Sequence, residues 1–283
     1  MAGSKEQRLW QACTGGDLET VKELADDPAV DVNWGDLEIG RTPFYRACGH
    51  RRTNVVEYLM RNPRVDVEKA QNEGCSPFFI ACQEGRMEVV SLLLADPRID
   101  ANKPMNNQGT PLWFASQNGH LVVVQLLLAS EKEIDTRRRS TFNNKTAAEQ
   151  GRATGMRTTK EAGETEEIFQ RKKTYSPLCA DLINEYERDQ VAVRRRLRRQ
   201  PGLREYFIGH LFALVVFHSD SFAIVNERTA HSYTRRFFRI TSQLPLDLQM
   251  VLCNRIFGSP RDIILSRDSE PGFQLLIRTT TWQ

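Results

Sequence analysis

The sequence predicts an all-α chain in which a solenoid of about five helix-turn-helix units leads into a small helical C-terminal domain. Three observations carry that prediction. Pro43, Pro77 and Pro111 recur every 34 residues, and so do Thr42, Ser76 and Thr110, then Ala47, Ala81 and Ala115, then Val56, Val90 and Val124. A fixed period of this length means stacked units, none of which can bury its apolar face alone. Within each unit the Thr or Ser is a helix N-cap, and the Pro after it stands where no helical donor is lost. Beyond Arg188 the period is not seen, although helix-patterned stretches continue.

Each unit can be read turn by turn. Ala lets a neighbouring helix approach closely, and Gly85 and Gly119, four residues after it, would end the first helix. Val and Leu at helical spacing, including Leu59-Met60, Leu93-Leu94 and Leu127-Leu128, form a second helix. Val30-Asp31-Val32-Asn33, Val65-Asp66-Val67 and Ile99-Asp100-Ala101-Asn102 then close the units. The strings Thr42-Pro43-Phe44-Tyr45-Arg46-Ala47, Ser76-Pro77-Phe78-Phe79-Ile80-Ala81 and Thr110-Pro111-Leu112-Trp113-Phe114-Ala115 resemble the T-P-L-H-x-A signature of the ankyrin repeat. The resemblance covers about half the chain. Its period is one residue above the usual ~33, with the extra residue placed in Asp27-Pro28, Asn62-Pro63 and Asp96-Pro97. It implies a non-catalytic scaffold or adaptor that holds a protein partner on a concave face.

In order along the chain, residues 1–155 hold four units and the start of a degenerate fifth. The first, 4–33, is a capping unit: Ser4 and Gln7 have capping-box spacing, and Leu9-Trp10-Gln11-Ala12 replaces the Thr-Pro string. The second, 34–68, has Arg51 where Gly would end the first helix. The third and fourth span 69–102 and 103–136. The fifth opens at Thr146-Ala147, with Ala in place of Pro and Gly151 in place of the repeat Ala. Residues 156–188 read as an inserted hydrophilic loop, 156–174, and a completing helix restarted by Ser176-Pro177 with Leu178, Leu182, Ile183 and Tyr186 on one face. Residues 189–283 read as the C-terminal domain, with helices expected over 189–200, 203–218, 227–242, 244–257 and 269–278.

Composition narrows the function. With 40% hydrophobic and 27% charged residues the chain is globular rather than disordered. Residues 1–150 hold 18 basic against 21 acidic residues, and the remainder 21 against 15. Neither balance demands nucleic acid, and nucleic acid is not the expected partner. The start lacks a signal-peptide core, and no apolar run reaches the ~18 residues of a membrane span. Six cysteines form no C-x-x-C pair, and Cys13, Cys48 and Cys82 each follow the repeat Ala, which reads as a column of small buried packers. A reducing compartment follows, the cytoplasm first and the nucleus as alternative. No P-loop, no G-x-S-x-G, no H-E-x-x-H and no dinucleotide fingerprint occurs, so no catalytic residue, cofactor or metal is expected; a monomer is.

The candidate contacts come from the resemblance. In ankyrin repeats partners meet the loop tips and the inner side of the first helices, which here means Glu38, Ile39, Arg41, Asn72, Glu73, Cys75, Asn106 and Asn107 at the tips. At the helix ends it means Gly49, His50, Gln83, Glu84, Gln117 and Asn118. Trp10, Tyr45, Phe79 and Trp113 form an aromatic column, open to two readings: a strip for a partner or packing between units, of which packing is preferred. Arg194, Arg195, Arg196, Arg198 and Arg199 could track phosphates or address the chain to a compartment, but Val191, Val193 and Leu197 fit a solvated surface helix. Leu244-Pro245-Leu246-Asp247-Leu248-Gln249 faintly resembles the start of an F-box, implying a ubiquitin-ligase adaptor as the alternative.

Overall fold

A computed structural model of the protein describes residues 4–204, 207–208, 211–212 and 246–256. The helices expected over 227–242 and 269–278, most of 203–218, and the Leu244-Pro245 pair lie outside the described residues. The chain divides into two compact units, residues 1–193 and 194–283.

The first unit is a two-layer stack. Its helices are α1 (Lys5–Gly15), α2 (Leu18–Asp26), α3 (Pro43–Gly49), α4 (Thr53–Arg61), α5 (Pro77–Gln83), α6 (Met87–Ala95), α7 (Pro111–Gln117), α8 (Leu121–Ala129), α9 (Ala147–Gly155) and α10 (Glu166–Arg188). The odd-numbered helices pack on one another in chain order, and α2, α4, α6, α8 and α10 do the same behind them. This is the five-membered all-α solenoid that the period predicts. The hydroxyls of Thr42, Ser76 and Thr110 accept from the amides of Tyr45, Phe79 and Trp113 at 3.1, 3.1 and 3.2 Å, each with Pro at the first helical position. Ser4 caps α1 in the same way, whereas Thr146 and Glu149 form a complete capping box on α9. The repeat alanines Ala47, Ala81 and Ala115 are fully buried, and so are Cys13, Cys48 and Cys82, all unbridged.

Neighbouring units are tied at three heights. Between the loop tips, the amides of Asn72, Asn106 and Thr141 each donate at 2.8 Å to the carbonyls of Ile39, Glu73 and Asn107 of the unit before. Behind the second helices, Arg64, Arg98 and Lys132 recur at the same step and donate to carbonyls of the preceding unit: Val30, Met60 and Ile99 among them. At the ends of the first helices stand Arg52, Arg86 and His120. Arg52 Nε donates to the Thr14 carbonyl at 2.9 Å, Arg86 Nε to Gly49 at 2.8 Å, and His120 Nε2 meets Gln83 at 2.9 Å. These carbonyls end a helix, where a cation or N–H donor is favoured.

The turn after each first helix needs a left-handed residue, and Gly16, Gly85 and Gly119 supply it. Arg51 supplies it as well, at φ 57°, so the missing glycine leaves the turn unchanged. The loop tips repeat the device with Gly40, Gly74 and then Gln108 at φ 61°.

The fifth pair departs from the expectation at its second helix. Ser176-Pro177 does not start α10: Thr165 caps it, and the helix runs unbroken through Pro177. An interior proline removes one helical hydrogen bond and crowds the carbonyl four residues back, a cost of about 3 kcal/mol that the packing of α10 on α9 offsets; Gly155 lets α9 approach the ring, and a Cβ there would lie 2.1 Å from Pro177 Cγ. Gly151 does the same a turn earlier, where a Cβ would meet Ser116 Oγ and the Ser176 carbonyl at 2.6 Å. Leu182, Ile183 and Tyr186 are buried as expected, but Leu178 is 45% exposed because Cys179 and Ala180 take the inward face. The inserted loop is therefore only 156–165. Arg157 and Lys172 hold the buried Glu164 carboxylate at its base, at 2.7 and 3.1 Å.

Helix α11 (Gln190–Leu197) crosses into the second unit, shorter than expected, and α12 (Leu246–Ile256) lies there with Gln249 and Cys253 buried.

Candidate functional site

A stack of repeats separates two kinds of position. Residues that recur do the stacking; residues that change from unit to unit at an exposed position are free to serve something else. The position after the aromatic column changes in character from unit to unit: Gln11, Arg46, Ile80 and Phe114 in successive first helices. Arg46, Ile80 and Phe114 are half-buried. They lie along one face of α3, α5 and α7, and the face has three zones.

The first is cationic. Trp10 Nε1 donates to the Arg41 carbonyl at 3.0 Å, which fixes the indole. The Arg46 guanidinium lies 4.5 Å from the ring centroid, within cation–π range, and Arg46 Nε donates to Thr14 Oγ1 at 3.2 Å. Arg52, packed against Gly16, stands beside it on the Thr14 carbonyl. Arg41 is neutralised by Asp36 at 2.8 Å and Glu38 at 2.8 Å, whereas among the described residues neither Arg46 nor Arg52 has a carboxylate partner. His50 is exposed in the middle. Partial desolvation first, then the fields of Arg46, Arg52, Arg86 and Arg41, lower its pKa.

The second zone is apolar. Ile80, Met105 and Phe114 are partly buried against Tyr45, Cys75 and Phe79. Phe114 lies between Phe79 and Trp113, with ring centroids 4.9 and 4.7 Å away. Burial first and the nearby Cys75 second raise the Tyr45 hydroxyl pKa, and burial pushes the Cys75 thiol up to about 12, so both stay neutral.

The third zone is closed. Arg171 Nε donates to the Asn118 carbonyl at 3.2 Å and Ser176 Oγ to Gln117 at 2.9 Å, so α10 covers the end of α7. A Cβ on Gly119 would lie 3.0 Å from the Arg171 carbonyl, which shows how closely it does so. His120 sits beneath. Desolvation first, then Arg171, lowers its pKa to about 4, so it is neutral at physiological pH and Nε2 donates to Gln83.

The sequence-predicted residues distribute over this face unevenly. Glu38, Asn72, Glu73 and Asn106 are exposed at the loop tips, with Ile39, Arg41 and Asn107 half-buried beside them. His50 and Glu84 are exposed at helix ends. Gln83, Gln117 and Asn118 are half-buried, with their carbonyls occupied by His120, Ser176 and Arg171. Of the aromatic column, Tyr45, Phe79 and Trp113 are buried between units, and Trp10 alone is half-exposed. Arg195, Arg196 and Arg199 are exposed; Arg194 and Arg198 are half-buried, Arg198 5.1 Å from the Phe207 ring.

Sequence reasoning missed Arg46, Ile80, Met105 and Phe114. The available signal was their irregularity within an otherwise regular column. No helix among the described residues is long and apolar enough to cross a membrane.

Two family models match the chain. One, described as an ankyrin repeat, matches residues 40–69, and the other, described as ankyrin repeats in three copies, matches residues 64–140. Ankyrin repeats imply protein partners and are generally non-catalytic. The matches, the capped Thr-Pro and Ser-Pro helices and the paired layers agree: residues 40–140 of this chain are an array of ankyrin repeats.

Proposed function

We propose that the protein is a non-catalytic scaffold or adaptor that binds a protein partner on the concave side of the stack, along α3 and α5 and their loop tips. The observation that carries this reading is the irregular, half-exposed column Arg46, Ile80 and Phe114 on helices whose N-caps, prolines and repeat alanines recur. A rigid array of this kind loses little ordering entropy when it binds. The six buried, unbridged cysteines support a reducing compartment, the cytoplasm, as the place where it acts.

A photo-crosslinking amino acid placed at Glu84, exposed on this face, tests the reading against one placed at Val122, exposed on the second-helix layer. Position 84 is expected to trap a protein in cells, and position 122 is not. Trapping from 122 with none from 84 would move the interface to the opposite layer.

A further inference from the structure

We infer that the open end of this face recognises an acidic peptide segment carrying apolar side chains: its carboxylates pair with Arg46 and Arg52, and its apolar groups rest on Ile80 and Phe114. The inference rests on the scaffold reading above and specifies its partner.

The guanidiniums are pre-positioned. Arg46 is held through Nε by Thr14 and stacked on Trp10, and Arg52 is held through Nε by the Thr14 carbonyl. Both are anchored by one edge, which leaves terminal N–H groups for a carboxylate in the paired geometry that guanidinium favours. Anchoring also reduces the rotamer entropy a partner would otherwise have to overcome. Arg86, tied to the Gly49 carbonyl and only loosely to Glu84 at 3.7 Å, extends the positive ground toward α5. The apolar zone is contiguous, because Ile80 packs against Gly49 on the same helix as Arg46; a Cβ on Gly49 would meet Ile80 Cγ1 at 3.2 Å.

Charge complementarity selects an acidic partner. A short peptide fits better than a nucleic acid for two reasons. Residues 1–150 are acidic in sum, with 18 basic against 21 acidic residues, so a long polyanion gains the local patch and is opposed by the rest. The aromatic rings are also engaged already, Trp10 by Arg46 and Phe114 by Phe79 and Trp113, so they do not offer the free faces on which bases stack.

Fluorescence anisotropy with the full chain tests this. The probe is a fluorescein-labelled peptide of repeating Asp-Glu-Leu; the comparisons are its Asn-Gln-Leu counterpart and an oligothymidylate of the same length. The acidic peptide is expected to bind saturably, at least tenfold more tightly than either comparison, and to weaken as salt rises. The double substitution Arg46→Gln, Arg52→Gln is expected to weaken it at least tenfold, with binding compared well below each variant's own thermal midpoint so that folded protein is measured, and Arg46→Lys, which keeps the charge but not the paired N–H geometry, to weaken it less. The NMR titration of His50, which shares the patch with those arginines and with Glu84, should shift upward when the peptide binds, while His120 stays fixed. Equal binding of the acidic and amide peptides would overturn the inference, as would tighter binding of the oligothymidylate or no saturable binding at all. If position 84 still traps a protein in that case, the scaffold reading stands and only the acidic specificity fails.

Discussion

Gly85 shows how one residue holds a repeat junction. Its φ of 68° is a conformation that costs any other residue about 1–2 kcal/mol, and an added Cβ would lie 2.3 Å from His120 Nδ1. Gly85→Ala is therefore expected to destabilise the array by at least that amount in urea unfolding. Arg51 and Gln108 hold the same left-handed conformation without being glycine, so Arg51→Gly and Gln108→Gly should each stabilise by up to ~1 kcal/mol. The gain at Arg51 is reduced by the loss of its exposed contact with Glu88. His120 supplies the pH dependence. Its folded pKa of about 4 lies below the ordinary 6.5, so the folded state resists protonation. Its neutral form gives full stability above pH 6.5, and stability falls as pH drops from there to about 4, by about 3 kcal/mol at most. His120→Gln retains a donor toward Gln83 and should flatten that part of the urea-midpoint profile; a profile unchanged by the substitution would show that other groups carry it.

At the scale of elements, the N-caps were legible because a hydroxyl followed by proline has one common use. Thr42, Ser76 and Thr110 follow from Thr-Pro and Ser-Pro alone. The course of α10 was not legible. A proline preceded by serine reads locally as a helix start, whereas α10 continues through Pro177 packed on α9, with Gly155, 22 residues away in sequence, leaving room for the ring. Tertiary room overrode the local signal. Gly155→Ala should accordingly cost about 1–3 kcal/mol, the range for overpacking, because the Pro177 ring cannot turn aside. Thermal unfolding of the variant is the measurement, and an unchanged midpoint would mean that α9 and α10 can separate freely.

For the array as a whole, the period sets which residues stack, and the departures from it mark where the stack is open or closed. The stacked layers could be read from sequence because the same physical requirement was written several times over. The extent of the candidate face could not, because Gln117 and Asn118 are covered by Arg171 and Ser176, which lie more than 50 residues further along and belong to no repeat signature. Among the described residues of the first unit, the face is covered at the C-terminal end of α7 and is exposed or half-buried along α3 and α5, with Phe114 at its border. Methyl NMR of isoleucine-labelled full-length protein, titrated with the partner trapped at position 84, tests this most directly. Ile80 and Ile39 are expected to shift on binding, with Ile183, fully buried in α10, unmoved; a response at Ile183 with Ile80 silent would contradict it.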